Sequence, residues 1–297
     1  MIRVALYGCG YWGQILARVF SNHPDFKLVA AYDDIYERAL KVREQYKMEG
    51  GPFEAAIIAT TPNTHHEIAR NELQRGCHIW VEKPMTMSLS TAYDLVYTAN
   101  RLGKVLFVDH TYLYHGAIQS MKFAHKEHRF YSYDSIRTNY GTHRSDCSVA
   151  QDLLPHDLAI MDYLTDGAPV REIKAGGHWH RGTVYAEAHA LWRQGDMLAH
   201  ANVNWLAPRK RREITLVSDS GVLTLDEMAP DTPQGQNKLV WTPYGGEGQA
   251  VSYVTKEALA AAATDFANAI KHGITPRSNG ALALRVQQAL DRIEVEL

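Results

Sequence analysis

The sequence IRVALYGCGYWG, residues Ile2–Gly13, decides the fold class, because a short apolar strand runs directly into a glycine-rich turn that opens a helix. The glycines follow the pattern Gly-x-Gly-x-x-Gly at Gly8, Gly10 and Gly13. This spacing suits a tight turn, a close approach of the backbone to a pyrophosphate, and close packing of helix on strand. Unpaired N–H groups at the helix N-terminus attract phosphate as well. The stretch predicts the first βα unit of a dinucleotide-binding Rossmann domain.

A carboxylate ends the second predicted strand: Asp33 lies 20 residues beyond Gly13. At that position it can accept hydrogen bonds from the adenine ribose hydroxyls, and it repels a 2′-phosphate. We therefore expect NAD rather than NADP as the cofactor, with Tyr11 and Trp12 flanking its nicotinamide side. The competing interpretations are a glycine-rich turn without a ligand, a surface aspartate, and aromatic rings that only pack the first helix.

Short apolar runs alternate with amphipathic segments over residues 1–108, as in βαβ units with a doubly wound parallel sheet. We predict strands at Ile2–Tyr7, Lys27–Tyr32, Ala55–Ala59, His78–Val81 and Lys104–Val108, and helices at Tyr11–Asn22, Ile35–Tyr46, Thr64–Arg75 and Ser88–Arg101. The class is therefore α/β, with an N-terminal Rossmann domain at residues 1–108.

From residue 109 to residue 297 the pattern changes to that of an α+β domain with a large open, mostly antiparallel sheet. We predict helices at 117–128, 152–165, 256–272 and 279–296, and strands at 132–140, 171–179, 183–193, 197–205, 211–218 and 221–225. Successive hairpin turns would link the last five strands, and Met228–Gly248 is predicted to be irregular.

The third strand is followed by a polar turn at the edge of the sheet where doubly wound folds bind ligands. We expect its residues to contact the cofactor: Thr60, Thr61, Pro62, Asn63 and His65. The same residues also fit a helix start capped by Asn63 or Thr64. As an alternative to cofactor contact, His65 and His66 look like ordinary solvated histidines.

Glu82-Lys83-Pro84 ends the fourth strand, where the proline stops the strand and an ammonium would stand beside the nicotinamide. A surface lysine is the alternative interpretation. Asp152 and His156 are four residues apart and share one face of a helix that starts there, with Pro155 tolerated only in a first turn. An imidazole can take a hydroxyl proton at neutral pH, and a carboxylate can orient it. The alternative is a helix-start aspartate with a satisfied histidine.

Composition excludes several classes of partner. The formal charge is −2 and the sequence pI is about 6.7, so no global positive field favours nucleic acid or a membrane surface. The 3 cysteines fit neither a disulfide framework nor a metal or redox pair, and the start runs into a strand without a leader. We expect a cytoplasmic protein. We also expect no metal, since His178 and His180 lack a third ligand at sensible spacing.

These motifs, in this order, resemble the glucose–fructose oxidoreductase, inositol dehydrogenase and MocA (Gfo/Idh/MocA) family over nearly the whole chain. Finer segments are similar to its nucleotide-sugar branch, the UDP-N-acetylhexosamine 3-dehydrogenases. They are GCGYWG at 8–13, Arg137-x-Asn139-x-Gly141, DLLPHD at 152–157 and NWLAPRKR at 204–211, while VDHTY at 108–112 opens the second domain as in the family. Two departures are a short segment between Tyr46 and Ala55 and Gln151, where relatives of the branch have tryptophan.

The resemblance implies NAD-dependent oxidation of a sugar ring hydroxyl to a ketone by a homodimer or homotetramer. Lys83, Asp152 and His156 are then catalytic: His156 removes the hydroxyl proton and Lys83 hydrogen-bonds to the oxygen, although either could be the final base. Arg137, Asn139 and Arg144 are candidates for holding a diphosphate or sugar, or else are solvated surface residues. A free-sugar or cyclitol dehydrogenase and a non-catalytic NAD-binding sensor are the alternative functions.

Overall fold

A computed structural model describes residues 1–140, 147–180, 184–230 and 238–297. The chain forms two compact units. The first comprises Met1–Tyr114 and Lys256–Gln287, and the second comprises His115–Thr255 and Gln288–Leu297. None of the described helices combines the length and the apolar character that crossing a bilayer requires.

The first unit contains a five-stranded parallel sheet in the order β2-β1-β3-β4-β5. Its strands are β1 (Ile2–Tyr7), β2 (Phe26–Tyr32), β3 (Ala55–Ile58), β4 (His78–Val81) and β5 (Leu106–Val108). The helices between them are α1 (Tyr11–Asn22), α2 (Tyr36–Gln45), α3 (Pro62–Gln74) and α4 (Leu89–Leu102). The predicted Rossmann class is confirmed.

Alternation along β4 explains why both faces of this sheet are covered. Ile79 and Val81 lie in a core cluster with apolar residues of α3 and α4. Trp80 points the other way and stacks on Phe107 at 4.3 Å between ring centroids. On that face Trp80 also contacts Phe266, a residue of helix α7 (Ala258–His272) near the end of the chain.

The division of the chain differs from the predicted boundary at residue 108. Residues 256–287 belong to the first unit, where the Val108 N–H donates to the Ser278 carbonyl at 3.1 Å. The Tyr114 hydroxyl donates to Asp265 at 2.6 Å, so the 3-10 turn Thr111–Tyr114 also belongs to this unit. These contacts join segments far apart in sequence, which helix and strand periodicity cannot reveal.

The second unit contains an eight-stranded sheet in the order β13-β12-β11-β10-β6-β9-β8-β7. Its strands are β6 (Ser132–Thr138), β7 (Val170–His180), β8 (Val184–Gln194), β9 (Met197–Asn204), β10 (Arg211–Val217), β11 (Gly221–Asp226), β12 (Leu239–Pro243) and β13 (Gln249–Ala250). Its helices are α5 (Gly116–His128) and α6 (Val149–Leu164), and the end of α8 (Gly280–Glu296) belongs to it as well.

Two expectations about this sheet are corrected. β6 lies between β9 and β10 and is parallel to β9, so a crossover rather than a hairpin follows β9. Local sequence patterns could not predict this position of β6, because its partners in β9 and β10 lie more than sixty residues later in the chain. The segment Met228–Gly248, predicted to be irregular, contains β12, which pairs with β11. The remaining neighbours are antiparallel, so the predicted class holds.

Small side chains on β8 and β9 form the surface against which α6 packs. Ala186, Ala188 and Ala190 are fully buried, as are Ala199 and Ala201. Both strands contact α6. A helix of the same unit therefore buries this face of the sheet.

A buried ion pair joins α6 to β6. Asp157 is fully buried, and its two oxygens accept hydrogen bonds from Nε of Arg137 at 3.0 and 2.9 Å. The Tyr133 hydroxyl donates to the same carboxylate at 2.7 Å. Removing one partner of a buried pair leaves the other charge uncompensated, which is strongly destabilising. The pair therefore fixes the position of α6.

We expect Asp157→Asn to lower the free energy of unfolding by about 3 kcal/mol, because buried Arg137 then loses its hydrogen-bonded counter-charge and keeps only the Glu227 carboxylate, 3.9 Å from its Nη1. Glu213→Gln is the matched control: it removes the carboxylate of the exposed Arg211–Glu213 pair in the same sheet. Exposed pairs contribute about 1 kcal/mol or less. Urea unfolding followed by tryptophan fluorescence measures both variants. Equal losses would contradict the assignment of the buried pair.

Candidate active site

The glycine turn after β1 is tight at two positions and open at the third. Gly8 has φ of +87°, and a Cβ there would lie 2.5 Å from the Ala59 carbonyl oxygen. A Cβ on Gly13 would lie 1.9 Å from the Gly8 oxygen. A Cβ on Gly10 would meet no protein atom within 4 Å. Gly10 therefore borders the open space that a pyrophosphate needs.

The start of α1 leaves polar groups available to that space. Gly10 is the N-cap and provides no side-chain cap for the N–H groups of the first turn. Tyr11 is 80% exposed and Trp12 is 46% exposed, with their rings edge to face at 6.0 Å. Neither ring is buried in the packing of α1, so the packing interpretation is wrong. Both side chains project from the turn that would hold a dinucleotide.

Asp33 is fixed against the glycine turn at the end of β2. Its Oδ2 accepts a hydrogen bond from the Cys9 N–H at 2.7 Å, and its Oδ1 accepts one from the Ile35 N–H at 2.9 Å. Burial and the negative charge of Asp33 raise the pKa of the Cys9 thiol to about 11. A carboxylate at the end of the second strand can accept hydrogen bonds from the ribose hydroxyls of a dinucleotide, so the residues present fit NAD.

The turn after β3 leads into helix α3, as predicted, but the N-cap of that helix is not the predicted residue. Thr61 is the N-cap of α3 and Pro62 occupies the first helical position, where a proline is pre-organised for a helix. The predicted caps Asn63 and Thr64 are therefore wrong. Thr64 Oγ1 lies 2.8 Å from the Thr61 carbonyl and 2.7 Å from Thr60 Oγ1.

His65 is fully buried, which overturns its interpretation as a solvated histidine. Its Nδ1 lies 2.9 Å from the Pro84 carbonyl oxygen and its Nε2 lies 3.2 Å from the Thr60 carbonyl oxygen. Both ring nitrogens are thus engaged with the protein backbone. His65 thus joins the turn after β3 to the turn after β4 and positions them, and its contact with the cofactor stays a prediction. His66 instead pairs with Asp94 at 2.8 Å.

Lys83 stands beside a buried group of titratable side chains at the ends of β4 and β5. Lys83 is half-buried, while Glu82 is 8% exposed and Asp109 and His110 are 2% exposed. Burial and the nearby charge of Asp109 raise the pKa of Glu82 well above its ordinary range. Burial and the positive charge of Lys83 lower the pKa of His110 to about 3. Asp109 and His110 directly follow β5, which was the available sequence signal for them.

The helix α6 carries Asp152 and His156 on one face, one turn apart and both half-buried. It begins earlier than predicted, because Ser148 and Gln151 form a capping box with two bonds of 3.0 Å. Pro155 therefore lies inside the helix and not in its first turn, contrary to the prediction. Gln151, which stands where relatives of the branch have tryptophan, therefore helps to cap α6, the helix that carries the catalytic candidates Asp152 and His156.

The three predicted diphosphate ligands differ in outcome. Arg137 is 4% exposed and its guanidinium is bound to Asp157, so it is a structural ion-pair partner and not a solvated residue, while its role as a diphosphate or sugar ligand stays a prediction. Asn139 follows β6 and its N–H donates to the Asn204 carbonyl at 3.0 Å, leaving its half-buried side chain a candidate. Arg144 lies outside the described residues. Within the described ranges, no group of three or more His, Cys, Asp or Glu side chains could hold a metal ion.

Comparisons with known proteins agree with this geometry. Residues 2–110 match the Gfo/Idh/MocA family model described as "Oxidoreductase family, NAD-binding Rossmann fold". The chain is 26% identical to UDP-N-acetylglucosamine 3-dehydrogenase of Acidithiobacillus ferrooxidans, over 98% of this chain and 97% of that protein. It is 31% identical to D-glucoside 3-dehydrogenase of Escherichia coli, over 36% of this chain and 34% of that protein.

Solved structures show the same fold over the full length. The structure of the Acidithiobacillus ferrooxidans enzyme superposes with a TM-score of 0.89, covering 100% of this chain and 97% of that chain at 24% identity. A 3-ketoreductase of Actinomadura kijaniata, solved with TDP-benzene and NADP, has a TM-score of 0.88 over 99% of this chain and 97% of its own, at 17% identity. Residues 2–110 therefore match the NAD-binding Rossmann domain of the glucose–fructose oxidoreductase, inositol dehydrogenase and MocA oxidoreductase family, and the whole chain has the fold of these solved structures.

Proposed function

We propose that this protein is an NAD-dependent dehydrogenase that oxidises the C3 ring hydroxyl of a nucleotide-linked sugar to a ketone. The full-length similarity to a UDP-N-acetylglucosamine 3-dehydrogenase supports the substrate class, and the partial similarity to a D-glucoside 3-dehydrogenase supports the C3 position. The observation that carries the proposal is the placement of Lys83 at the carboxyl end of β4, in the same sheet as the glycine turn and Asp33.

In this proposal the first unit holds the cofactor. The N–H groups around Gly10 and the start of α1 bind the pyrophosphate, and Asp33 binds the adenine ribose. The remaining contacts are assigned to Tyr11, Trp12, Thr60, Thr61, Pro62, Asn63, Glu82 and Lys83. Bound NAD supplies the hydride acceptor, and the protein contributes position and polarity.

Proton transfer is assigned to side chains of this chain. His156 accepts the proton of the sugar hydroxyl, and Lys83 donates a hydrogen bond to the same oxygen. Asp152, one helical turn before His156, orients the imidazole or binds the sugar. Asn139 and Arg144 are proposed to hold the nucleotide sugar.

We also propose that the protein is a cytoplasmic homodimer or homotetramer. Its three cysteines are buried and form no disulfide with one another, as expected in a reducing compartment. The face of the second sheet that carries Leu191 and Leu198, each 39% exposed, is the proposed subunit interface. Light scattering of the purified protein decides the oligomeric state.

Lys83→Ala and His156→Ala should each lower kcat/KM about 10²- to 10⁴-fold, because each removes a group that acts on the reacting hydroxyl. The measurement is the absorbance rise of reduced nicotinamide on addition of UDP-N-acetylglucosamine and NAD. Lys104→Ala is the matched control, since Lys104 lies before the amino end of β5, whereas Lys83 follows the carboxyl end of β4 in the same sheet. Full activity in both site variants would refute the site. Turnover of a free glucoside but not of the UDP-sugar would refute the nucleotide-sugar assignment.

Gly10→Ala should weaken NAD binding about tenfold or more with only a small loss of thermal stability, because its Cβ meets no protein atom and only the preference for glycine over alanine at the N-cap is lost. Gly13→Ala should lower the melting temperature instead, since its Cβ collides with the Gly8 carbonyl. Calorimetric titration with NAD and thermal unfolding measure the two effects. A Gly10→Ala variant that binds NAD normally would contradict the assigned pyrophosphate site.

Asp33→Asn should lower the preference for NAD over NADP about tenfold, a change of about 1.4 kcal/mol, because the variant no longer repels a 2′-phosphate. The ratio of kcat/KM for the two cofactors measures this preference. Asp34→Asn is the control, since it removes a neighbouring exposed carboxylate. An equal effect of both substitutions would show that general charge, and not a ribose contact, sets the preference.

A further inference from the structure

The hydroxyl of Ser148, at the start of α6, has a partner from the far end of the chain. Ser148 is 8% exposed and is the N-cap of this helix. Its Oγ accepts a hydrogen bond from the Gln151 N–H at 3.0 Å, so its hydroxyl hydrogen needs an acceptor of its own. The Oε1 atom of Glu294 in α8 supplies that acceptor at 2.7 Å. Both residues belong to the second unit.

The start of α6 is buried, which makes its polar partners important. Val149 and Ala150 are fully buried. A helix begins with N–H groups that have no partner within the helix, and water does not reach them at a buried end. The Ser148–Gln151 capping box satisfies the N–H groups of its own two residues. The bond to Glu294 then ties this capping box to a second helix.

A carboxylate is a strong acceptor for the Ser148 hydroxyl. Bonds of the type O–H···O⁻ are shorter and roughly twice as strong as bonds between neutral groups, and 2.7 Å fits that class. A hydroxyl that donates to a carboxylate is polarised, so its oxygen becomes a better acceptor for the Gln151 N–H. Burial raises the pKa of Glu294, and the bond from Ser148 opposes that rise. Donation by Ser148 therefore favours the ionised acid.

The capping box fixes the first turn of α6, from which the catalytic candidates extend. Asp152 directly follows Gln151, and its N–H donates to the Ser148 carbonyl at 3.1 Å. His156 lies one turn further along the helix. A shift of the helix start therefore moves both side chains. Displacement of a reacting group by about 1 Å can cost about 10²-fold in rate.

Two other contacts of the C-terminal turn of α8 go to β7 rather than to α6. Arg292 Nη1 donates to the Val170 carbonyl at 2.9 Å. Glu296 pairs with Lys174 at 3.2 Å, and both side chains are exposed. Glu294 thus differs from these neighbours in its partner and not in its helix. Glu296 therefore provides a matched control for Glu294.

We propose that Glu294 is a positioning residue of the active site: its carboxylate accepts the Ser148 hydroxyl and thereby holds the first turn of α6, with Asp152 and His156, in its catalytic position. The catalytic meaning of this contact rests on the proposed function, whereas the contact itself does not. Glu294 touches neither substrate nor cofactor in this proposal. Its loss should therefore slow turnover without changing the binding of NAD.

Glu294→Ala should lower kcat about tenfold with NAD and UDP-N-acetylglucosamine, while the Kd for NAD, measured by calorimetric titration, keeps its wild-type value. Glu294→Gln should recover most of the loss, because an amide oxygen still accepts the Ser148 hydroxyl. Glu296→Ala, which removes only the exposed pair with Lys174, should leave kcat unchanged. The positioning role is wrong if Glu294→Ala is fully active, if Glu294→Gln is as slow as Glu294→Ala, or if Glu296→Ala is equally slow.

A double-mutant cycle tests whether the effect of Glu294 passes through Ser148. Ser148→Ala removes the donor of the hydrogen bond, so Glu294→Ala in that background should cause no further loss of kcat. Additive losses would show that Glu294 acts on the site by another route, and they would overturn the proposal.

Hydrogen–deuterium exchange provides a measurement that needs no substrate. The amides of Gln151 and Asp152 should exchange about fivefold faster in Glu294→Ala than in the wild type, and at the wild-type rate in Glu296→Ala. Unchanged exchange in Glu294→Ala contradicts the inference whatever the activity. Faster exchange in a protein whose wild type oxidises no UDP-sugar would refute the proposed function while supporting the anchoring of α6 by Glu294.

Discussion

The parallel pairing of β1, β3, β4 and β5 brings their carboxyl ends to one edge of the first sheet, and the proposed chemistry depends on that constraint. Tyr7 pairs with Ile58, Ile58 with Val81 and Val81 with Val108. The residues after these positions are the glycine turn, the turn before α3, Glu82-Lys83 and Asp109. A slip of one residue in any pairing would turn the following side chains to the opposite face.

Buried polar contacts then hold the loops that follow the strands. His65 connects two of the turns through their carbonyl groups, and the hydrogen bonds of Asp33 fix the glycine turn. In the second unit, the ion pair of Asp157 with Arg137 plays the corresponding part for α6. Catalytic candidates on rigid, internally bonded elements need little reorganisation before reaction, which is the condition for efficient proton and hydride transfer.

Local patterns predicted the elements well and the non-local contacts poorly. β1, β4 and α1 have the predicted bounds, because apolar runs and the glycine turn are local signals. The start of α6 was missed because the prediction centred on Asp152 and overlooked the Ser148–Gln151 capping box. The insertion of β6 between β9 and β10 and the burial of Arg137 depend on partners distant in sequence. The sequence around an arginine does not indicate whether its guanidinium will bind a carboxylate of the protein or a phosphate of a ligand.

In the proposed reaction, hydride leaves C3 of a sugar and reaches the nicotinamide of NAD. The most direct measurement uses UDP-N-acetylglucosamine that carries deuterium at C3, incubated with the protein and NAD. Deuterium should appear at C4 of the reduced nicotinamide, and the sugar should be recovered as its 3-ketone. Reduced cofactor without deuterium, formed from this substrate, would contradict this hydride transfer.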